Sequence, residues 1–307
     1  MSVAKNKFRL FSVPSLLVAM LLLFSIGAPA QSQASESKKK SLRRICITFD
    51  QLPAAGSFEE VDRPAITYLL LQALKKHEVP AAGFVVGDLI GDSFDILGEW
   101  LNAGHVLGNM TYSNQDLHQL DIEQFILDIK AGEDALETML EGFGQKKRYF
   151  RYPFLHYGNE AESKKQVKLY LDENDIVIVH ASVVAEDYLY NLSLEKMGKF
   201  PDSSEYDNLL NEYVNHVLDE IEEMDALSKQ VLGYSCRHIL RLKANRLNAI
   251  FLDEMLQAIK NLGFEFISLD QALKDDLYSS PEAYFGSHGV SYLDMIRLSD
   301  PDHLPAE

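Results

Sequence analysis

The sequence predicts a parallel α/β fold, on two observations. Strand-like and helix-like segments alternate from residue 44 onward, and mostly short connections join them. About seven such βα units with no internal repeat fit either a barrel or an open sheet, and both place chemistry at the carboxyl ends of the strands. The 307-residue chain, 47% apolar and 24% charged, has ample material for a core.

The elements follow from local pattern. An apolar run over 44–49 reads as the first strand, and apolar residues at helical spacing over 63–77 as the first helix. A strand over 82–86 precedes a helix over 94–103, which Gly104 closes in the left-handed manner. A short strand over 105–108 leads to a long helix over 122–141, ended by Gly142. Next come a strand at 149–152, a helix at 163–171, and the Ile-Val-Ile-Val strand within 176–180. A long acidic helix over 206–227, a strand at 239–242 and a helix over 251–262 follow. Gly263 stops that helix, and 264–269 is the last strand. The domain is expected over 42–277, with a C-terminal tail over 278–307 wrapping its outside.

Residues 1–34 read as a secretory signal peptide. Lys5, Lys7 and Arg9 precede an apolar run from 16 to 26, and small residues follow near Ala30 and Ala34. That run is shorter than the roughly 20 residues a membrane span needs, so no span remains after cleavage and a secreted or periplasmic location is expected. Residues 35–41, with Lys38, Lys39 and Lys40, form a basic flexible lead-in. Removing the three cations of the signal moves the net charge from −17 to −20. Such acidity argues against nucleic acid as a partner, because that affinity comes from neutralising phosphates. Cys46 and Cys236 are either a disulfide of an exported chain or two buried thiols. Asn109 and Asn191 begin glycosylation-type triplets, a pattern short enough to arise by chance.

Polar residues gather at successive strand ends. Asp50 follows the first strand and ITFDQLP surrounds it; GHVLGNMTYSNQDL spans the third. FRYPFLHYG covers the fourth, AEDYLY follows the fifth, and LRLKANRLNA covers the sixth. In this order the segments resemble the motifs of the polysaccharide deacetylase family, the NodB-homology domain of carbohydrate esterase family four. The likeness runs from about Ile45 to Leu273. It implies a distorted (β/α) barrel of about seven parallel strands in a single domain. It also implies hydrolysis of acetyl groups on sugars by a zinc-like ion that one aspartate and two histidines hold. The resemblance makes Asp50 the base, Arg151 its tether, and Tyr152, Pro153, Phe154, Asp187 and Tyr188 substrate-binding residues.

Position by position, the likeness departs at the metal. Gln51 stands at the aspartate ligand position, and Met110 and Asn114 stand at the two histidine positions. Lys243 replaces the histidine acid. An amide is a poor zinc ligand, a thioether prefers soft ions, and an exposed lysine is a poor acid at neutral pH. His105, His118 and His156 are near in sequence, but His118 lies past Met110 without an evident partner, so no replacement cluster is expected. The expectation is therefore an exported deacetylase-like protein of open enzymatic status, metal-free and without turnover, that binds acetylated polysaccharide. Zinc enters only if the site is rescued. Two alternatives stand beside it: a hydrolase that uses Asp50 and Lys243, and a scaffold that binds proteins through the acidic helix.

Overall fold

A computed structural model describes residues 42–55, 62–197, 203–281 and 283–299. The expected signal peptide and lead-in lie outside the described residues. Strand β1 (Arg43–Leu52) and helix α1 (Arg63–His77) come first, then β2 (Ala81–Val85), α2 (Phe94–Asn102), β3 (Val106–Asn109) and α3 (Ile122–Gly142). They are followed by β4 (Arg148–Phe150), α4 (Ala161–Glu173), β5 (Ile176–Ile178), β6 (Val183–Val184), α5 (Asp187–Lys196) and α6 (Ser203–Leu232). The chain continues with β7 (Arg237–Lys243), α7 (Arg246–Asn261), β8 (Phe264–Phe266), α8 (Leu269–Ala272) and α9 (Tyr292–Ser299).

All strand pairings are parallel, in the order β5-β4-β3-β2-β1-β7-β6, and β8 joins the start of β1. The sheet curls into an open half-barrel, as the predicted parallel α/β class requires. The expected βα repeats are present. The additions are β6, only two residues long, and α5, which begins within the AEDYLY segment.

β1 shows how the sequence builds two faces. Successive side chains of a strand point to opposite sides. Ile45, Ile47 and Phe49 pack outward with Leu70 and Leu74 of α1 and Leu252 and Met255 of α7. Cys46, Thr48 and Asp50 take the other parity, and Cys46 packs inside the barrel with Phe84, Met110, Tyr149, Val179 and Ile239. Cys236 belongs to the outer cluster, and both thiols are free. Helix starts follow capping chemistry: the Asp62, Asp121 and Asn245 side chains accept from backbone N–H groups of the first turns of α1, α3 and α7. The segment after β8 is more structured than its sequence suggests. The Tyr292 N–H at the start of α9 donates to the Ala181 carbonyl at 2.7 Å, and its ring stacks on His180 at 3.9 Å. Among the described residues, no helix is long and apolar enough to cross a membrane.

His105, at the foot of β3, is buried against Trp100 and accepts the Ala81 N–H on Nδ1. Burial pushes its pKa down from 6.5 to about 4. The folded state thus resists a proton that the unfolded chain takes up. Stability is full above pH 6.5 and falls as pH drops towards 4, by about 3 kcal/mol from this residue. Urea unfolding across that window is expected to show the loss. His105→Gln, which keeps an acceptor, is expected to flatten it.

Candidate functional site

The site gathers where β1, β3, β4 and β7 end. Asp50 is the last inward residue of β1 and is completely buried. Arg151, just after β4, donates from Nη1 to Asp50 Oδ1 at 2.9 Å and to Thr48 Oγ1 at 2.7 Å. Its Nε donates to the Val179 carbonyl, and its guanidinium lies over the Phe84 ring at 4.2 Å. Arg241, from β7, donates from Nε to the other oxygen, Asp50 Oδ2, at 2.5 Å. Burial alone would raise the Asp50 pKa, but the two guanidinium groups outweigh it and hold the carboxyl below its ordinary range. A carboxylate with both oxygens taken by arginines is a weak base.

Arg241 carries no motif signature, and sequence reasoning missed it. Its signal is parity: it lies two residues before Lys243 on one strand, so both face inward. Asp187 opens α5 and is buried, and its Oδ2 accepts from the Lys243 backbone N–H at 2.6 Å and from Asn248 Nδ2 at 2.7 Å. Burial raises the Asp187 pKa. Burial, and then Arg241, lower that of Lys243. The Lys243 Nζ lies 5.4 Å from the centre of the Tyr188 ring.

The other motif residues divide between core and surface. Tyr152 is buried among Phe125, Phe150 and Tyr157, and Pro153 is buried beside it. Phe154 is 44% exposed and Tyr188 47%. Met110 packs in the barrel interior. Asn109 is also buried, so its triplet offers no accessible amide. Gln51 and Asn114 line an open cleft of about 530 Å³ together with Asp88, Tyr188, Asn191 and Lys243. Backbone strain marks the same strand ends. Gln51, Thr111, Asn114, Phe154 and Leu155 all have left-handed φ, between 54° and 62°. Asn tolerates this conformation, but each of the other four costs about 1–3 kcal/mol, which concentrates strain where the motif loops leave the sheet.

One finding overturns the expectation that this chain has no metal-ligand set left. Asp116, His118 and His156 offer ligand atoms that all lie within 4.8 Å of one another. Asp116 and His118 belong to the loop after β3 and His156 to the loop after β4, so neighbouring strands deliver them to one place. Asp116 Oδ1 is 2.8 Å from His156 Nδ1 and 3.9 Å from His118 Nδ1, and the two imidazoles stack at 4.3 Å. Burial, followed by the neighbouring His156, lowers the His118 pKa and favours the neutral, ligating form. The ligands are therefore not simply replaced. An Asp/His/His set stands on the same two motif loops, at positions other than Gln51, Met110 and Asn114.

Residues 37–172 match the model of the polysaccharide deacetylase family. A peptidoglycan-N-acetylglucosamine deacetylase of Bacillus cereus is 28% identical over 140 residues, 46% of this chain and 48% of that protein. A chitooligosaccharide deacetylase of Rhizobium leguminosarum bv. trifolii is 32% identical over 94 residues, covering 31% and 40%. The chain thus spans less than half the length of these two curated relatives. In fold it is similar to a family-four carbohydrate esterase pseudoenzyme of Bacillus anthracis, with TM-score 0.53, 15% identity, and 76% and 66% of the two chains covered. The family match thus lies in the first part of the domain, and the fold likeness extends over three quarters of the chain.

The clamp on Asp50 yields a stability prediction. Arg151→Met leaves a buried carboxylate with one partner and is expected to cost about 3–5 kcal/mol in urea unfolding. Lys168→Met, which breaks the exposed pair with Asp172, is expected to cost no more than about 0.5 kcal/mol.

Proposed function

We propose that this chain acts on N-acetylated carbohydrate as a metal-assisted hydrolase, with a divalent ion held by Asp116, His118 and His156. The observation that carries this reading is the assembled carboxylate and two imidazoles on the motif loops of a deacetylase-family domain. The donors fit: one carboxylate and two imidazoles suit a zinc-like ion and leave positions open. His118 Nε2 is also buried without a hydrogen-bond partner among the described residues, and ligation would satisfy such an orphan. When bound, the ion supplies polarisation of an acyl oxygen and activation of water.

The chain's own residues do the rest. The cleft supplies hydrogen-bonding amides from Gln51 and Asn114, and the exposed Tyr188 ring offers a face for a sugar. Lys243 lines the same cleft with its pKa lowered, which brings Nζ nearer to the range of a working proton donor than a free lysine. Asp50 has another role: it anchors Arg151 and Arg241 and is too tightly paired to collect a proton. The signal-like segment over 1–34 supports a site of action outside the cytoplasm.

Titration of the metal-stripped protein with zinc by calorimetry tests the first half. One saturable site with about micromolar or tighter affinity is expected, lost in His118→Ala and in His156→Ala. Absence of saturable binding sinks the metal assignment. Acetate release from an N-acetylated chitooligosaccharide tests the second half and is expected only with zinc present. A zinc-loaded protein that releases acetate from no acetylated glycan rules out hydrolysis.

A further inference from the structure

Charge at the barrel mouth is unevenly spread. Two carboxylates, Asp50 and Asp187, meet three cations, Arg151, Arg241 and Lys243. This excess of one positive charge sits inside a chain of net charge −17. Asp50 has little left to give. Both Asp50 oxygens are taken by guanidinium groups, and Asp187 Oδ2 already serves the Lys243 N–H and Asn248.

The cations still have donors to spare. Arg241 spends only Nε; among the described residues its Nη1 and Nη2 have no hydrogen-bond partner, and its side chain is 11% exposed. Lys243 Nζ likewise makes no hydrogen bond among the described residues and reaches the cleft. Arg151 is completely buried, and its Nη2 has no hydrogen-bond partner among the described residues. Residues 241 and 243 are successive inward positions of β7, so their side chains leave the strand about 6.5 Å apart. Elsewhere along the cleft Arg63 stands with Asp88 and Glu195, so the wall is acidic away from Arg241 and Lys243.

We propose that the mouth recognises a carboxylate-bearing sugar, a uronic-acid type of residue, on the free Nη1/Nη2 edge of Arg241 with Lys243 beside it. This rests on the carbohydrate reading above and names the class of glycan. A guanidinium edge with two parallel N–H donors matches a planar carboxylate in a bidentate pair, and such charge-assisted bonds are about twice as strong as neutral ones. Leaving those donors empty costs part of the desolvation already incurred at the mouth, and a carboxylate recovers it.

The test uses the whole protein and two N-acetylated tetrasaccharides of equal length: one of N-acetylglucosamine alone, the other alternating N-acetylglucosamine with glucuronic acid. Calorimetry at low salt is expected to show the acidic sugar binding at least about tenfold more tightly. Arg241→Gln, which keeps a donor towards Asp50, is expected to abolish the preference, and Lys243→Met to reduce it several-fold. Circular dichroism reports whether each variant folds, and Lys243→Met, which breaks no buried ion pair, carries the test if Arg241→Gln does not. Equal affinity of the wild type for both sugars, or an unchanged preference in a folded Lys243→Met, overturns carboxylate recognition and leaves the carbohydrate reading standing. Binding of neither sugar removes the carbohydrate reading, and this proposal with it.

Discussion

The buried clamp of Arg151 and Arg241 on Asp50 joins three parts of the sheet at one point: β1, the end of β4, and β7. A half-barrel whose edge strands do not meet lacks the continuous ladder that would otherwise fix its curvature. Charge pairs across its interior help to set that curvature, and their burial makes each partner expensive to remove. The clamp also decides chemistry. A carboxylate shared by two guanidinium groups is a fixed anion and is poorly suited to collecting a proton.

The second constraint lies in the loops. Left-handed residues after β1, β3 and β4 turn the chain sharply over the strand ends, and strain of that kind persists where surrounding structure over-determines it. For the loop after β3, α3 supplies the support. Gly132 packs so tightly that a Cβ there would lie 2.2 Å from Asn109 Oδ1 and 2.8 Å from the Thr111 carbonyl carbon. The loop held in this way carries Asp116 and His118 to His156. The juxtaposition of this carboxylate with two imidazoles therefore rests on backbone strain and close helix packing.

Much of the fold was legible because the signals were long. The apolar run of β1, the periodicity of α1 and the glycine-stopped α2 were readable from spacing alone. Two-residue β6 carries too little pattern to be seen, and α9 lies in the segment read as a C-terminal tail. The site divided in a similar way. Asp50 and Arg151 stood in recognisable motifs, and Gln51, Met110 and Asn114 showed at once that those positions had changed. The inference that no ligand set remained was wrong because convergence is a tertiary property. Asp116 and His156 are 40 positions apart, and only the β3–β4 pairing brings their loops together. Histidines placed after two strands that neighbour each other in the sheet were the available clue. Arg241 was missed because a single arginine on an apolar strand has no partner visible in sequence.

The proposed ion sits among Asp116, His118 and His156 rather than at Gln51, Met110 and Asn114. Anomalous diffraction at the zinc absorption edge, from crystals of the protein soaked in zinc, separates the two places. One strong peak is expected among the first three side chains. A peak beside Asp50, Gln51 and Asn114, or no ordered peak at either place, would contradict it.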